Sequence, residues 1–307
     1  MPTVAVACQA MATRFEILLH GDKEVSLRAA GEEALQEIVR LESQLSLYQP
    51  SSDLSRINAR AAAGPVRVRP PLFRLFQHIT ELHRDTHGAF DVTIGPLMRC
   101  WGFRGGPGHV PTEEALAQAR SKTGLGLVNL RPEDYSIRFA CEGVVVDLGG
   151  IGKGYAIEQA VELLREAGVQ HALIHGGTST AYALGHQPDG RPWKIAIETH
   201  QDPPTLLAAV PLCDQALSVS AVWGKAFQAG TENYGHVLDP RTGRPVTRAQ
   251  LAAVVTTSAT EADALSTALL VEGAEGIDPI SSLRPDLRCL VWSPAGCQTR
   301  GIVKANG

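Results

Sequence analysis

One stretch constrains this chain more than any other: Val144-Val145-Val146-Asp147-Leu148-Gly149-Gly150-Ile151-Gly152-Lys153-Gly154-Tyr155-Ala156. A β-branched run breaks into glycines around one lysine and then turns into an amphipathic helix. Glycines let a backbone approach a ligand closely, and a helix that starts there presents free N–H groups and the positive end of its dipole. Ile157, Ala160, Val161, Leu164 and Ala167 recur at helical spacing, and Gly168 stands where a helix stop is expected. Two familiar phosphate motifs do not fit. A Walker A loop needs Ser or Thr after its Gly-Lys, but Lys153 is followed by Gly154, and Gly150-x-Gly152-x-Gly154 is not G-x-G-x-x-G. By itself the loop reads equally as an anion site or as a plain strand-to-helix turn.

Composition narrows the partners. With 307 residues, 44% hydrophobic and a net charge of -4, the chain can bury a large core. It has no basic surplus or Lys/Arg-rich run of the kind that binds nucleic acid. Its apolar runs are strand-length, so no membrane insertion is expected. The first residues lack the basic and apolar regions of a signal peptide or a lipoprotein leader. The six cysteines (Cys8, Cys100, Cys141, Cys213, Cys289 and Cys297) show no C-x-x-C spacing. That scatter argues against a zinc ribbon or a disulfide framework and fits a cytoplasmic protein with reduced thiols.

Taken in order, Met1 to Cys8 and Met11 to His20 read as strands, and a helix is expected over 29–47, with Ala34, Ile38, Leu41 and Leu45 on one face. Pro50 and the Ser/Asp cluster after it force a turn, followed by a short helix from Leu54. Tyr48 at this corner is either cover for the core or a ring that stacks on a planar ligand. Helices follow over 70–86 and 111–122, then two strands within 127–139. Between the helices, Trp101 to Gly108 is loop by composition, either a lid or a plain surface loop. His171 to Gly176 is a strand running into a second glycine turn, and Trp193–Glu198, Ala208–Leu212 and Ala216–Ser220 read as one antiparallel meander.

Asp239-Pro240-Arg241-Thr242-Gly243 is favourable turn chemistry, whereas His236 just before it has no such structural excuse. In the segment from Thr260 to Gly273, Thr260 is a candidate N-cap and Asp263 the partner of a capping-box variant. Asp263 and Thr267 also lie four apart, so their oxygens share a helix face within reach of one hard cation, which a backbone carbonyl would complete. Closing strands are expected at Arg288–Trp292 and Gln298–Val303.

Laid side by side, these blocks resemble the ApbE-type FAD:protein FMN transferase family. The matching runs are Met11-Ala12-Thr13, Leu45-Ser46-Leu47-Tyr48 with Ser55-Arg56-Ile57-Asn58, Gly88-Ala89-Phe90-Asp91-Val92-Thr93, Asp147 to Tyr155, His236 to Gly243, and Ala262-Asp263-Ala264-Leu265-Ser266-Thr267. They arrive in the family's order. The resemblance implies a single α+β, T-fold-related domain over 1–307, with mixed and antiparallel sheets and helices packed around a flavin cleft.

It also implies an activity: Mg²⁺-dependent transfer of FMN from FAD to a Thr hydroxyl of an acceptor flavoprotein, with release of AMP. Alternatives on the same site are a Mg²⁺-dependent FAD pyrophosphatase and a non-catalytic FAD-binding protein. By the same resemblance, the Gly150 carbonyl, Asp263 and Thr267 would hold Mg²⁺. Met11, Tyr48, Ala89, Phe90, Asp91, Asp147, Lys153 and His236 would line the FAD site, with Tyr48 stacking on the isoalloxazine. His236 would act as acid, base or orienting donor beside the pyrophosphate, with Asp263 as the other catalytic group. A monomer or a homodimer is compatible with the pattern. Several positions depart from it: Ala12 stands where Gly is usual, Val219-Ser220-Ala221 replaces Thr-Ser-Gly, Thr178 replaces the Asp of a Gly-Gly-Asp turn, Glu158 replaces an Asp, and Ser266 stands where some members carry a second acid.

Overall fold

The computed structural model describes residues 2–230 and 232–305, so Met1 of the expected first strand lies outside the described residues. The first half of the chain forms β1 (Thr3–Ala10), β2 (Thr13–His20), α1 (Glu24–Leu45), α2 (Asp53–Arg60), β3 (Val66–Arg67), α3 (Pro70–Asp85), α4 (Gly95–Cys100), α5 (Glu113–Arg120), β4 (Val128–Arg131) and β5 (Ser136–Phe139). After these come α6 (Gly152–Glu166), β6 (His171–Gly176), β7 (Thr180–Leu184), β8 (Trp193–Glu198), β9 (Leu206–Leu212), β10 (Gln215–Ala221), β11 (Ala226–Ala229) and β12 (Glu232–Gly235). The last are β13 (Leu251–Thr256), α7 (Ala259–Glu272), α8 (Ile277–Ser281), β14 (Arg288–Ser293) and β15 (Gly296–Arg300).

The α+β architecture is organised by an eight-stranded sheet in the order β1-β2-β6-β7-β10-β13-β14-β15, antiparallel throughout. On one face α1, α6 and α7 bury Ile38, Ile157, Ala160 and Leu265 together with Ile17, Ile174 and Val254 of the sheet. On the other face the β8–β9 hairpin packs Trp193, Ile197 and Val210 onto Leu217, Ala253 and Leu290. With both faces covered, β13 reads as an unbroken apolar run instead of alternating. Helix α7 is buried on nearly every side, from Ala259 to Val271, as its lack of a polar face requires.

Four expectations are revised. The strands 193–198, 208–212 and 216–220 are not one meander: β8 and β9 form a separate two-stranded sheet, and β10 crosses into the large sheet between β7 and β13. The reason is burial, because Ala216, Leu217 and Ser218 are covered on both faces and such a strand belongs in a sheet's centre. Helix α1 starts at Glu24, ahead of residue 29. The last strand is Gly296–Arg300, since Gly301 takes a positive φ of 70° and ends the ladder.

The fourth revision concerns Val144 to Leu148, which is extended but belongs to no strand. The Asn58 side chain takes the place of a neighbouring strand. Its amide donates to the Val146 carbonyl at 2.9 Å and its oxygen accepts from the Val146 N–H at 2.8 Å. Val92 accepts from the Asp147 N–H, so the run is pinned where it enters the glycine loop. Gly168, at φ 79°, closes α6 as expected.

Candidate functional site

The glycine loop, the N-terminus of α6, the first turns of α7, the Ala89–Val92 segment, the end of β10 and the His236–Pro240 turn converge on an open cleft of about 430 Å³. That volume is usual for a small-molecule site. Ala89, Phe90, Asp91, Asp147, Gly150, Lys153, His236, Asp263 and Thr267 all line it. Residues more than 150 positions apart in sequence are thus brought together by the sheet and its helices.

Asp263 is the centre of the arrangement. It sits on α7 at 3% exposure, and its Oδ2 accepts the Gly154 N–H of α6 at 2.9 Å. Its Oδ1 lies 3.3 Å from the Ser218 hydroxyl and 3.5 Å from that of Thr180. Thr267 donates to the Asp263 carbonyl at 3.2 Å and shares a contact with Ser220, which also bonds Ser266 at 2.8 Å. The hydroxyls of Ser218, Thr180, Ser220 and Ser266 surround this group; the sequence marks Ser220 and Ser266 only as departures from the family pattern and does not single out Ser218 or Thr180. For Ser218 and Ser220 the signal was polar residues at i and i+2 inside an otherwise apolar strand, which places them on one sheet face.

Asp263 does not complete a capping box on its own helix. Ser258 is the N-cap, accepting from the Glu261 N–H at 3.1 Å, and Thr260 lies inside the helix. Among the described residues no Lys, Arg or His forms an ion pair with Asp263, and no group of three His, Cys, Asp or Glu side chains is arranged to hold a metal ion. A buried carboxylate with only neutral donors favours a cation from outside. The oxygens available nearby are a hard set, and Mg²⁺ is commonly held by one or two carboxylates plus substrate phosphates, without a full protein cage. The donor chemistry therefore fits.

Lys153 stands in the first turn of α6, its Nζ 3.5 Å from the Gly149 carbonyl. His236 takes a hydrogen-bonding contact from Nδ1 to the Lys225 carbonyl at 3.1 Å. A carbonyl only accepts, so Nδ1 carries the proton and the neutral ring leaves its Nε2 lone pair free. Burial pushes the His236 pKa down, with the Lys225 and Lys153 charges adding to that and the carbonyl contact opposing it. At neutral pH the ring is a base, not a cation.

Other residues are more occupied. Asp91 is buried, and it accepts from the Thr93 N–H at 2.7 Å, the Thr93 hydroxyl at 2.6 Å and the Leu125 N–H at 3.0 Å. It braces the loop that presents Phe90. Asp147 accepts from the Gly149 N–H at 2.9 Å and shapes the glycine turn. Asp239 and Arg241 pair within the turn that follows His236. Met11 and Tyr48 lie outside the cleft lining. Met11 forms a two-residue hairpin turn with Ala12, both at positive φ (50° and 59°), and its N–H donates to Glu42 at 2.7 Å. Tyr48 is 74% exposed, and its ring carries the Arg104 guanidinium 5.8 Å from its centroid.

A lysine at a helix N-terminus, a neutral histidine and a buried carboxylate ringed by hydroxyls all face one cleft, an arrangement suited to binding a phosphorylated ligand and accepting a proton beside it. The chain belongs to the ApbE family, whose model matches residues 11–291. Among its relatives, the FAD:protein FMN transferase of Vibrio cholerae is 32% identical over 237 residues, which is 76% of this chain and 70% of that protein. The enzyme of the same name from Haemophilus influenzae is 29% identical over 285 residues, 89% of this chain and 81% of its own. Of the solved structures, the ApbE protein of Thermotoga maritima superposes with a TM-score of 0.87 at 25% identity, covering 99% of this chain and 97% of that one. The apo flavinyl transferase ApbE of Pseudomonas stutzeri gives 0.84 at 29% identity, covering 97% and 94%.

Proposed function

We propose that this protein is a flavin transferase that moves FMN from FAD to a threonine hydroxyl of an acceptor flavoprotein, in a Mg²⁺-dependent reaction that releases AMP. The relatives' names support the transferase, and one observation supports the metal: Asp263 is a buried carboxylate with neutral donors alone around it. Asp263, the Thr267 hydroxyl and the Gly150 carbonyl would hold Mg²⁺. When bound, the ion would offset negative charge on the pyrophosphate.

The chain's own groups do the rest. The α6 N-terminus and Lys153 attract the phosphates to the glycine loop. His236 Nε2 accepts the proton of the attacking hydroxyl, a contribution of typically 10²–10⁴ in rate. Phe90 and Ala89 form an apolar wall against the flavin side of the substrate. Met11 and Tyr48 are proposed to meet the part of FAD that projects beyond the cleft, where Tyr48 has an exposed ring to offer. All six cysteines are free thiols, which suits the reducing cytoplasm we propose as its location. No described helix is long and apolar enough to cross a membrane.

The test is mass spectrometry of an acceptor domain carrying its Thr motif, incubated with this protein and FAD, with Mg²⁺ or with EDTA. A covalent FMN adduct and AMP that both require Mg²⁺, and that are lost in Asp263→Ala while flavin still binds, are the expected results. FMN and AMP in solution with no adduct would replace this reading by the pyrophosphatase, and FAD returned intact would replace it by flavin binding alone.

A further inference from the structure

We propose that Glu158 is a positioning residue for Asp263, acting through a reciprocal clamp between the N-termini of α6 and α7. Glu158 accepts the Thr260 N–H at 2.8 Å and the Ser258 hydroxyl at 2.7 Å, so a carboxylate from α6 caps the start of α7. Asp263 of α7 accepts the Gly154 N–H at 2.9 Å, so a carboxylate from α7 caps the start of α6. Gly154 and Glu158 are four residues apart and share one face of α6. The first turn of α7 lies between them, with the Ala259 carbonyl 2.2 Å from where a Gly154 Cβ would stand. Each helix thus supplies the anion for the other's unpaired N–H groups and positive dipole end.

Deeper in, apolar packing of Ala160, Ala262 and Leu265 holds α6 against α7, while the Glu158 side of the contact faces an opening. A cavity of about 340 Å³ adjoins Glu158, lined also by Arg74, His78, Tyr155 and Glu162. With that side open, the hydrogen bonds of Glu158 are what tie the start of α7 to α6 there. Asp263 sits one turn beyond Thr260, so a shift of the α7 start is carried to its carboxylate. Where the family pattern carries Asp, the longer Glu158 still spans to both Ser258 and Thr260.

The proposal rests on the reading of Asp263 as the residue that holds the divalent ion, and its experiment separates the two. Hydrogen exchange at the Gly154 amide needs no metal, and Mn²⁺ binding without FAD serves as the ion probe. In Glu158→Ala, water can enter the adjoining cavity and satisfy Thr260, so the chain folds while the tether is gone. Exchange at Gly154, which Glu158 does not touch, should rise about tenfold, and the Mn²⁺ Kd should rise about tenfold, the scale of one charge-assisted hydrogen bond. Glu158→Gln keeps an acceptor for Thr260 and a donor for Ser258, and should stay within about threefold of the parent on both readings. Unchanged Gly154 exchange in folded Glu158→Ala, or Gln as damaging as Ala, overturns the clamp. If the parent protein binds no Mn²⁺ through Asp263, the metal reading fails instead, and the exchange result still decides the role of Glu158.

Discussion

Replacing Gly154 by Ala probes the closest approach in the candidate site. The new methyl would lie 2.2 Å from the Ala259 carbonyl oxygen and 2.7 Å from the Asp263 Cβ, about 1 Å inside ordinary contact at 3.4 Å. The obstacle is backbone, so the helices must separate by about that amount. The Gly154 N–H to Asp263 bond then lengthens from 2.9 Å to roughly 4 Å, where it no longer exists. Losing a charge-assisted hydrogen bond costs about 1.5–3 kcal/mol, and overpacking adds about 1–3 kcal/mol. Alanine's better helix propensity returns about 1 kcal/mol. The net destabilisation is about 1.5–5 kcal/mol, which in a chain of this size lowers Tm by roughly 2–8 °C. Urea denaturation and calorimetry would measure it, with Mn²⁺ binding falling in parallel. A variant as stable as the parent or more so would mean that helix propensity alone governs Gly154, and the close helix contact would have to be abandoned.

Two further outcomes follow from the site and its hairpin. Burial lowers the His236 pKa below its ordinary 6.5, so kcat/KM should climb with pH through a midpoint under 6.5, and His236→Gln should remove that limb along with most of the rate. The same shift acts on stability: the unfolded state binds the proton first, so this contribution is complete above pH 6.5 and is lost as pH falls through that value toward the lower folded pKa. A midpoint at or above 6.5 contradicts the neutral-base assignment. Ala12→Gly should stabilise the protein by about 1 kcal/mol, because Ala12 occupies φ 59° in a two-residue turn that glycine adopts without strain. A lower urea midpoint for that variant would show that the turn is held by more than its backbone.

What could be read from the chain alone were local relations. The 3.6-residue repeat from Ile157 to Leu164 and the stop at Gly168 are set by short-range geometry, and α6 follows them. The order of the motifs carried the family, because loop chemistry such as Asp239 to Gly243 is written in adjacent residues. Tertiary structure decided everything that depends on which surfaces meet. The β-branched run at Val144 looked ready to be a strand, but Asn58, 88 residues away, satisfies its backbone and leaves it outside the sheet.

Asp263 read as part of its own helix's cap, yet its carboxylate caps α6, and Glu158 returns the contact from the other side. The hydroxyls of Thr180 and Ser218 reach Asp263 only because β7 and β10 lie side by side in the large sheet. Tyr48 lay in a matching block of sequence, but the chain's path leaves its ring exposed and outside the cleft lining. A sequence fixes the donors and acceptors each residue brings. Long-range hydrogen bonds and burial choose their partners, since every buried polar group must find one and the nearest in space is seldom the nearest in the chain.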